Sequence, residues 1–318
     1  GAVDLLQQAT AAGSVYAEAQ LARLYFVGLG VEENKAKGKA LAAEVKEKLE
    51  NSHDQGLAHY LLGRLAYSGD ADYSLALKHY KKSAELGNAY GLLELGHMYA
   101  TGSGVEESQV EAVKWYKKAA ELGLSEAQYY MGVKTERGQG ITKSATEAVK
   151  WYEKAALIGH VGAQVSLAYA YYSGDGVVES DPEALRWYRE AAAKNSSTAQ
   201  YMLGQMYRQG NGVTRSFSEA LKWYRKANEN GYLKSYTMIG FMYQHGEGVQ
   251  QSDKEAASWY RKGAELGDAS AQYYIGLLYE EGKGVTQSDS EAVNWYRKAA
   301  AQGFNEAQNT LKKRGIQW

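Results

Sequence analysis

Six Trp-Tyr pairs recur at a constant interval of 36 residues: Trp115-Tyr116, Trp151-Tyr152, Trp187-Tyr188, Trp223-Tyr224, Trp259-Tyr260 and Trp295-Tyr296. A spacing that constant means that one unit is copied along the chain. Periods of about 20–50 residues belong to solenoids, whose units stack because none can bury its apolar face alone. The repeat overrides the two ordinary domains that a chain of 318 residues would suggest. It also favours an extended surface over a catalytic pocket.

Two helices fit the unit. Helix B opens on Ser108, with Glu111 three residues later, the spacing of a capping box. The pair returns as Ser144/Glu147, Ser180/Glu183, Ser216/Glu219, Ser252/Glu255 and Ser288/Glu291. Each Ser hydroxyl is expected to accept from the N3 amide, and each Glu to cover the cap amide. The only proline, Pro182, falls in the first turn of such a helix, where a missing amide does no harm. Ala112, Trp115 or Tyr116, and Ala119 share one apolar face. Gly123 stops the helix, as Gly87, Gly159, Gly231, Gly267 and Gly303 stop others. Asn195 stands in once, the next-best left-handed C-cap. Trp151, Trp187, Trp223 and Trp259 are expected to be largely buried between successive repeats.

Helix A follows, as in Ala127 to Arg137. It begins on a small residue in most copies and carries Leu, Met or Ile four residues on, as in Ala127/Met131, Ala163/Leu167 and Ala199/Leu203. The next position is Gly or Ala in the first eight copies, which permits close helix approach. Tyr follows three residues later in six copies: Tyr25, Tyr99, Tyr171, Tyr207, Tyr243 and Tyr279. The helix ends at G-x-G-V, for example Gly102-Ser103-Gly104-Val105. These loops are not phosphate cradles: none follows a strand or continues into G-K-[ST], and the apolar residue reads as a loop anchor.

Irregular copies come first. Loop-start glycines fall at Gly28, Gly69 and Gly102, intervals of 41 and 33, before the constant 36 begins. The excess is assigned to Lys35 through Asn51, a lengthened helix B. The deficit is assigned to Gly69 through Ser74, a clipped loop without its second Gly, and His79 stands where later copies have Trp. The organisation read from this is a single array over 1–318: a partial opening repeat over 1–13, irregular repeats over 14–87, six regular 36-residue units over 88–303, and a C-terminal capping helix over 304–318. The chain opens at Gly1 rather than Met, which reads as a processed or trimmed product.

Composition removes several function classes. A net charge of −1 gives no general attraction to nucleic acid or to an anionic membrane. Without Cys there are no disulfides or thiolate metal sites. No apolar run approaches the ~18 residues of a transmembrane helix. The six His residues (His53, His59, His79, His97, His160, His245) have no metal-site spacing, and neither H-E-x-x-H nor G-x-S-x-G occurs. No cofactor and no metal are expected, and the reading is non-enzymatic. Lys117-Lys118 and Arg297-Lys298 read as a solvated outer face.

The unit resembles the Sel1-like repeat family, a relative of the tetratricopeptide repeats. The resemblance is carried by A-x-x-x-L-G-x-x-Y-x-x-G-x-G-V followed by A-x-x-W-Y-x-K-A-A-x-x-G, as at Ala199 to Gly231, and covers nearly the whole chain. It implies an all-α fold, a right-handed α/α superhelix of about 18 helices, with helix A on the concave side and helix B on the convex side. It also implies a scaffold for protein complexes. Disulfide-bridged members of the family carry paired Cys in each repeat, which this chain lacks.

Positions three, seven and ten of helix A share a face that the repeat signature does not use. The stripe is rich in Tyr, with Arg, Gln and Glu between, and some aromatics at position three are expected to fill gaps between neighbouring A helices. Partner contact is assigned to positions seven and ten, namely Arg64, Tyr67, Tyr169, Tyr172, Arg208 and Phe241, because Tyr and Arg dominate interface hot spots. The leading reading is a protein or peptide partner in the concave groove. A second reading gives the groove a glycan or cell-wall polymer, since aromatic faces stack on sugar rings. A hidden hydrolase is the third.

Overall fold

The structure, a computed structural model, describes residues 1–69 and 71–318; Asp70, inside the clipped loop read at Gly69 to Ser74, lies outside the described residues. Among the described residues there are eighteen α-helices and no strand. They fall into two compact units, Gly1–His160 and Val161–Trp318. The first holds α1 (Ala2–Ala11), α2 (Val15–Val27), α3 (Lys35–Glu50), α4 (Gln55–Ser68), α5 (Tyr73–Glu85), α6 (Ala89–Thr101), α7 (Gln109–Glu121), α8 (Ser125–Arg137) and α9 (Ala145–Leu157). The second holds α10 (Val161–Ser173), α11 (Asp181–Ala193), α12 (Ser197–Gln209), α13 (Phe217–Glu229), α14 (Lys234–His245), α15 (Asp253–Glu265), α16 (Ala269–Glu281), α17 (Asp289–Ala301) and α18 (Asn305–Lys313). Even-numbered helices are A helices and odd-numbered ones B helices. Each A helix from α2 to α16 packs most extensively on the B helix that follows it. A helices also touch in succession, α2 on α4, α4 on α6 and α14 on α16. The lengthened helix B is α3, with 16 residues against 13 in α5.

All six predicted serine caps form. The hydroxyls of Ser108, Ser144, Ser180, Ser216, Ser252 and Ser288 accept from the N3 amide at 3.2–3.4 Å. The glutamate half of the box is different. The cap amide donates to a helix A carbonyl nine residues upstream, a tyrosine's in five of the six, as from Ser108 to Tyr99 and Ser252 to Tyr243 at 2.8 and 2.9 Å, and Thr135's for Ser144. With that amide occupied, Glu111, Glu147 and Glu219 pair with the Lys three residues on, and Glu183 with Arg186. A short side chain and a backbone bond therefore bolt both ends of the A–B loop. The helix stops behave as read: Asn195 takes φ +62°, in line with the glycines at the equivalent sites.

The core column is not the tryptophan. Trp115, Trp151, Trp223 and Trp259 are half-buried, and of the six only Trp187 and Trp295 are buried. The lysine three residues on stacks over the tryptophan in five repeats, 3.9–5.2 Å from the ring centroid. This shields an outer ring through a cation–π contact. The neighbouring tyrosine is the buried one. Tyr80, Tyr116, Tyr152, Tyr188, Tyr224, Tyr260 and Tyr296 are 0–2% exposed. Six of these rings lie against the helix A glycine, at Gly63, Gly96, Gly132, Gly204, Gly240 and Gly276. A Cβ added at Gly204, Gly240 or Gly276 would stand 2.6–2.7 Å from the ring. The glycine after Leu, Met or Ile is thus a flat seat for a tyrosine face.

A second polar column fills the seam between one helix B and the next helix A. Gln200, Gln272 and Gln308 donate from Nε2 to Ala192, Ala264 and Ala300 carbonyls at 3.0–3.3 Å. These carbonyls lie in the last turn of helix B, where helical partners run out. The second glycine of G-x-G also has a packing role: a Cβ at Gly104 or Gly212 would stand 2.8 Å from Tyr73 or from the Asp181 backbone, one repeat earlier.

Two stability measurements follow. Tyr260→Ala should cost about 3–5 kcal/mol, as for a fully buried aromatic, and Trp259→Ala clearly less, both read by urea denaturation. The reverse order would restore the tryptophan column as the core. Ser252→Ala should cost about 1 kcal/mol, and unchanged melting curves for several such cap variants would remove the caps from the account of stability.

Candidate functional site

The helix A stripe divides by position. Position three belongs to packing. Tyr129 stacks on His160 with centroids 4.6 Å apart, Tyr201 lies 4.6 Å from Tyr232, and Tyr273 lies 5.4 Å from Phe304. Thr237 makes the polar version, donating to Asp268 Oδ2 at 2.6 Å. In each case the stripe residue closes over the turn that follows helix B.

Positions seven and ten serve two purposes. Part of the set completes the core: the buried tyrosine passes its ring across the glycine seat and brings its hydroxyl out at the stripe, where it needs a partner. Tyr152 donates to Glu136 at 3.0 Å, Tyr260 to Gln244 at 2.9 Å and Tyr296 to Glu280 at 2.5 Å. The Tyr116 hydroxyl lies 2.9 Å from His97 Nδ1. Burial, followed by the charges of Lys134 and Arg64, lowers the His97 pKa to about 4, so the ring is neutral at pH 7. The expectation that stacking needs nothing from these positions is therefore corrected at His97, Glu136, Gln244 and Glu280.

The remaining set includes the expected contact residues. At position ten, Tyr67, Tyr172 and Arg208 each reach the middle residue of the next repeat's G-x-G loop. The Tyr67 hydroxyl is 3.5 Å from Ser103 Oγ. The Tyr172 hydroxyl accepts from Asn211 at 3.3 Å and donates to Gln209 at 3.2 Å. Arg208 forms a two-pronged pair with Glu247, at 2.6 and 3.1 Å. Arg208 also lies over the Phe241 ring, 4.7 Å from its centroid, while His245 stacks on the same ring at 4.0 Å. The Tyr224 hydroxyl, which lies in the field of Arg208, is buried with no hydrogen-bond partner.

The structure thus joins Arg208 to Phe241 in the second unit, where Tyr169 and Tyr172 share one face of α10. In the first unit Arg64 and Tyr67 sit on α4. Arg64 donates to the Tyr60 hydroxyl at 2.7 Å and lies 3.9 Å from Glu94. Tyr67 packs on Tyr73 with centroids 5.0 Å apart. Tyr169 is 55% exposed and Tyr67 38%. Glu247, Asn211 and Ser103 were missed by the sequence reading, which took G-x-G-V as a helix end with an apolar loop anchor and gave its middle residue no role. Arg23 and Glu94, beside Arg64, also lay outside the expected set. These groups can bind and orient a ligand, but their arrangement places no nucleophile against a base. Among the described residues, no group of three or more His, Cys, Asp or Glu is placed to hold a metal ion, and no helix is long and apolar enough to cross a membrane.

This architecture is an α-solenoid of helix-turn-helix repeats. The Sel1 repeat family model matches residues 15–43, 56–88, 89–124, 125–160, 161–196, 197–232, 233–268 and 269–304, so the chain belongs to the Sel1 repeat family. Proteins of this family are generally protein-interaction scaffolds. One similar solved structure is a protective antigen present in uropathogenic Escherichia coli strains, displaying an SLR fold. It is 32% identical with a TM-score of 0.76, and the match covers 97% of this chain and 66% of the antigen. A Sel1 repeat protein from Oxalobacter formigenes is also 32% identical, with a TM-score of 0.68 over 76% of this chain and 98% of that one. No curated protein matches the chain.

The division of the stripe is open to a stability test. Glu136→Leu removes the carboxylate that accepts from the Tyr152 hydroxyl and should cost about 1–3 kcal/mol. Tyr169→Ala, at a side chain 55% exposed, should stay within about 0.5 kcal/mol. Thermal denaturation of the two variants side by side measures the difference, and equal losses would erase the distinction between core-completing and free stripe residues.

Proposed function

We propose that this chain is a non-catalytic scaffold that takes a polypeptide along the helix A stripe, with Arg64, Tyr67, Tyr169, Tyr172, Arg208 and Phe241 as the contact residues. The observation that carries the reading is Tyr169. It stands at position seven, where His97 of another repeat meets a core hydroxyl, yet it leaves 55% of its surface in solvent. Packing does not account for a large aromatic held there. Tyr172 is one turn on, its hydroxyl fixed between Gln209 and Asn211. Arg208 is fixed by Glu247 and Phe241. Side chains ordered before binding lose little entropy when a partner arrives, and Tyr and Arg are the residues that anchor interfaces. The general scaffold role of Sel1 repeat proteins supports the same reading.

Capture against a protein panel and a polysaccharide panel supplies the partner. Tyr169→Ala or Tyr172→Ala should then weaken protein binding by about 2 kcal/mol or more, with the melting temperature nearly unchanged. Normal binding by both variants, together with loss on charge reversal at Lys117-Lys118 or Arg297-Lys298, would move the working surface to helix B. Capture of a polysaccharide alone, sensitive to the same tyrosines, would favour the glycan reading.

A further inference from the structure

The first unit carries a charge imbalance in the same stripe. Arg23 on α2 and Arg64 on α4 both occupy position seven, on A helices that touch. Glu94, on the next A helix, is the carboxylate whose charge acts on both. Arg64 is engaged: it donates to Tyr60 at 2.7 Å and lies 3.9 Å from Glu94. Arg23 is not. Its Nε is buried without a hydrogen-bond partner. Burial, then the charge of Arg64, pulls the Arg23 pKa down, and burial raises that of Glu94 even beside Arg64. Two guanidiniums against one carboxylate leave one positive charge without a counterpart. A desolvated donor on an unmatched cation destabilises the folded chain. Packing alone would be better served by an apolar side chain here.

We propose that Arg23 and Arg64 together receive one carboxylate, from an Asp or Glu side chain of the bound polypeptide; the source of that carboxylate rests on the polypeptide-binding reading above. The guanidinium fork matches a carboxylate; Arg23 is only half-buried, and its terminal nitrogens, which are not enclosed as Nε is, are the donors left for it. The charge count sets the valence. One negative charge completes the balance, whereas a phosphate dianion would exceed it beside Glu94, which already lies in the field of Glu126. The depth sets the source. The Arg64 and Glu94 side chains are only 26% and 24% exposed, so the receptor is recessed. A flexible acidic side chain reaches into such a site, while a chain terminus would drag its own backbone polar groups out of water.

The test is a titration of the whole chain, followed through its arginine Nε–H nuclear magnetic resonances, with assignments from Arg23→Gln and Arg64→Gln. The probes are N-acetyl-glutamate α-methylamide, its neutral glutamine counterpart, N-acetylglycine as a terminal carboxylate, and N-acetyl-phosphoserine methylamide. The Arg23 resonance should move saturably with the glutamate probe and stay still with the neutral one. Arg23→Gln should weaken that probe by about tenfold or more, while its melting temperature holds or rises, because an unmatched charge has been removed. A purely structural arginine would lower the melting temperature on loss. Arg23→Lys, which keeps the charge but not the fork, covers the case in which Arg23→Gln fails to fold, and should also weaken the glutamate probe. No saturable shift, an equal shift with the neutral probe, or tighter binding of the terminal or phosphate probe would overturn the proposal. Peptide capture separates the two readings. Binding that depends on Tyr169 but ignores Arg23→Gln overturns the carboxylate receptor alone. Titration of Arg23 without any peptide capture would sink the polypeptide reading and keep the receptor.

Discussion

In six repeats the face of a tyrosine lying on a glycine ties helix B to helix A. Gly204, Gly240 and Gly276 have no Cβ, so the rings of Tyr224, Tyr260 and Tyr296 lie close against helix A. A dense interior made this way tolerates little change in shape. The same contact constrains the surface. A tyrosine laid across a helix must bring its hydroxyl out on the far side, and a buried hydroxyl needs a partner. Glu136, Gln244 and Glu280 are therefore tied to the core although they sit in the stripe. The stripe is free for other work only where this obligation is absent or unmet. Tyr224, whose hydroxyl has no partner, marks one such place.

Much of the fold was legible because it is written in local chemistry. A serine three residues before a glutamate, and a Gly or Asn where φ must turn positive, announce helix ends without reference to anything distant. Six copies in phase made the signal firm. Which member of each Trp-Tyr pair faces the core was not legible from the pair. Adjacent helical residues point about 100° apart, and either assignment keeps an apolar face. Two signals in the sequence bore on the choice. The glycine in helix A calls for a flat ring, and a Lys three residues after the Trp is suited to covering an outward one. The capping glutamate was misjudged for a related reason, since its competitor for the cap amide is a carbonyl nine residues upstream.

The stripe proposed for binding was legible as a break in the pattern. Large aromatics and arginines stand where the repeat asks for nothing in particular. Its internal division was not. Whether a position-ten side chain serves the core or the surface depends on the neighbouring repeat, because Tyr67, Tyr172 and Arg208 find partners 36 to 39 residues away. Arg23 carries the same lesson: its lack of a partner is a property of three helices, α2, α4 and α6.

The middle residue of G-x-G occupies an unusual place in this design. The glycines on either side are committed, one to stopping the helix and the other to seating on the repeat before. The loop is further bolted by the cap serine. The residue between them bears none of these duties, yet it touches the outermost side chain of the adjoining stripe: Ser103, Asn211 and Glu247 each do so. It is an editable letter in an otherwise closed word. Exchanging it retunes the charge or tilt of one contact in the neighbouring repeat while every fold-bearing contact stays in place. Under the proposed function, such exchanges would change what the array recognises one loop at a time, leaving the scaffold unaltered.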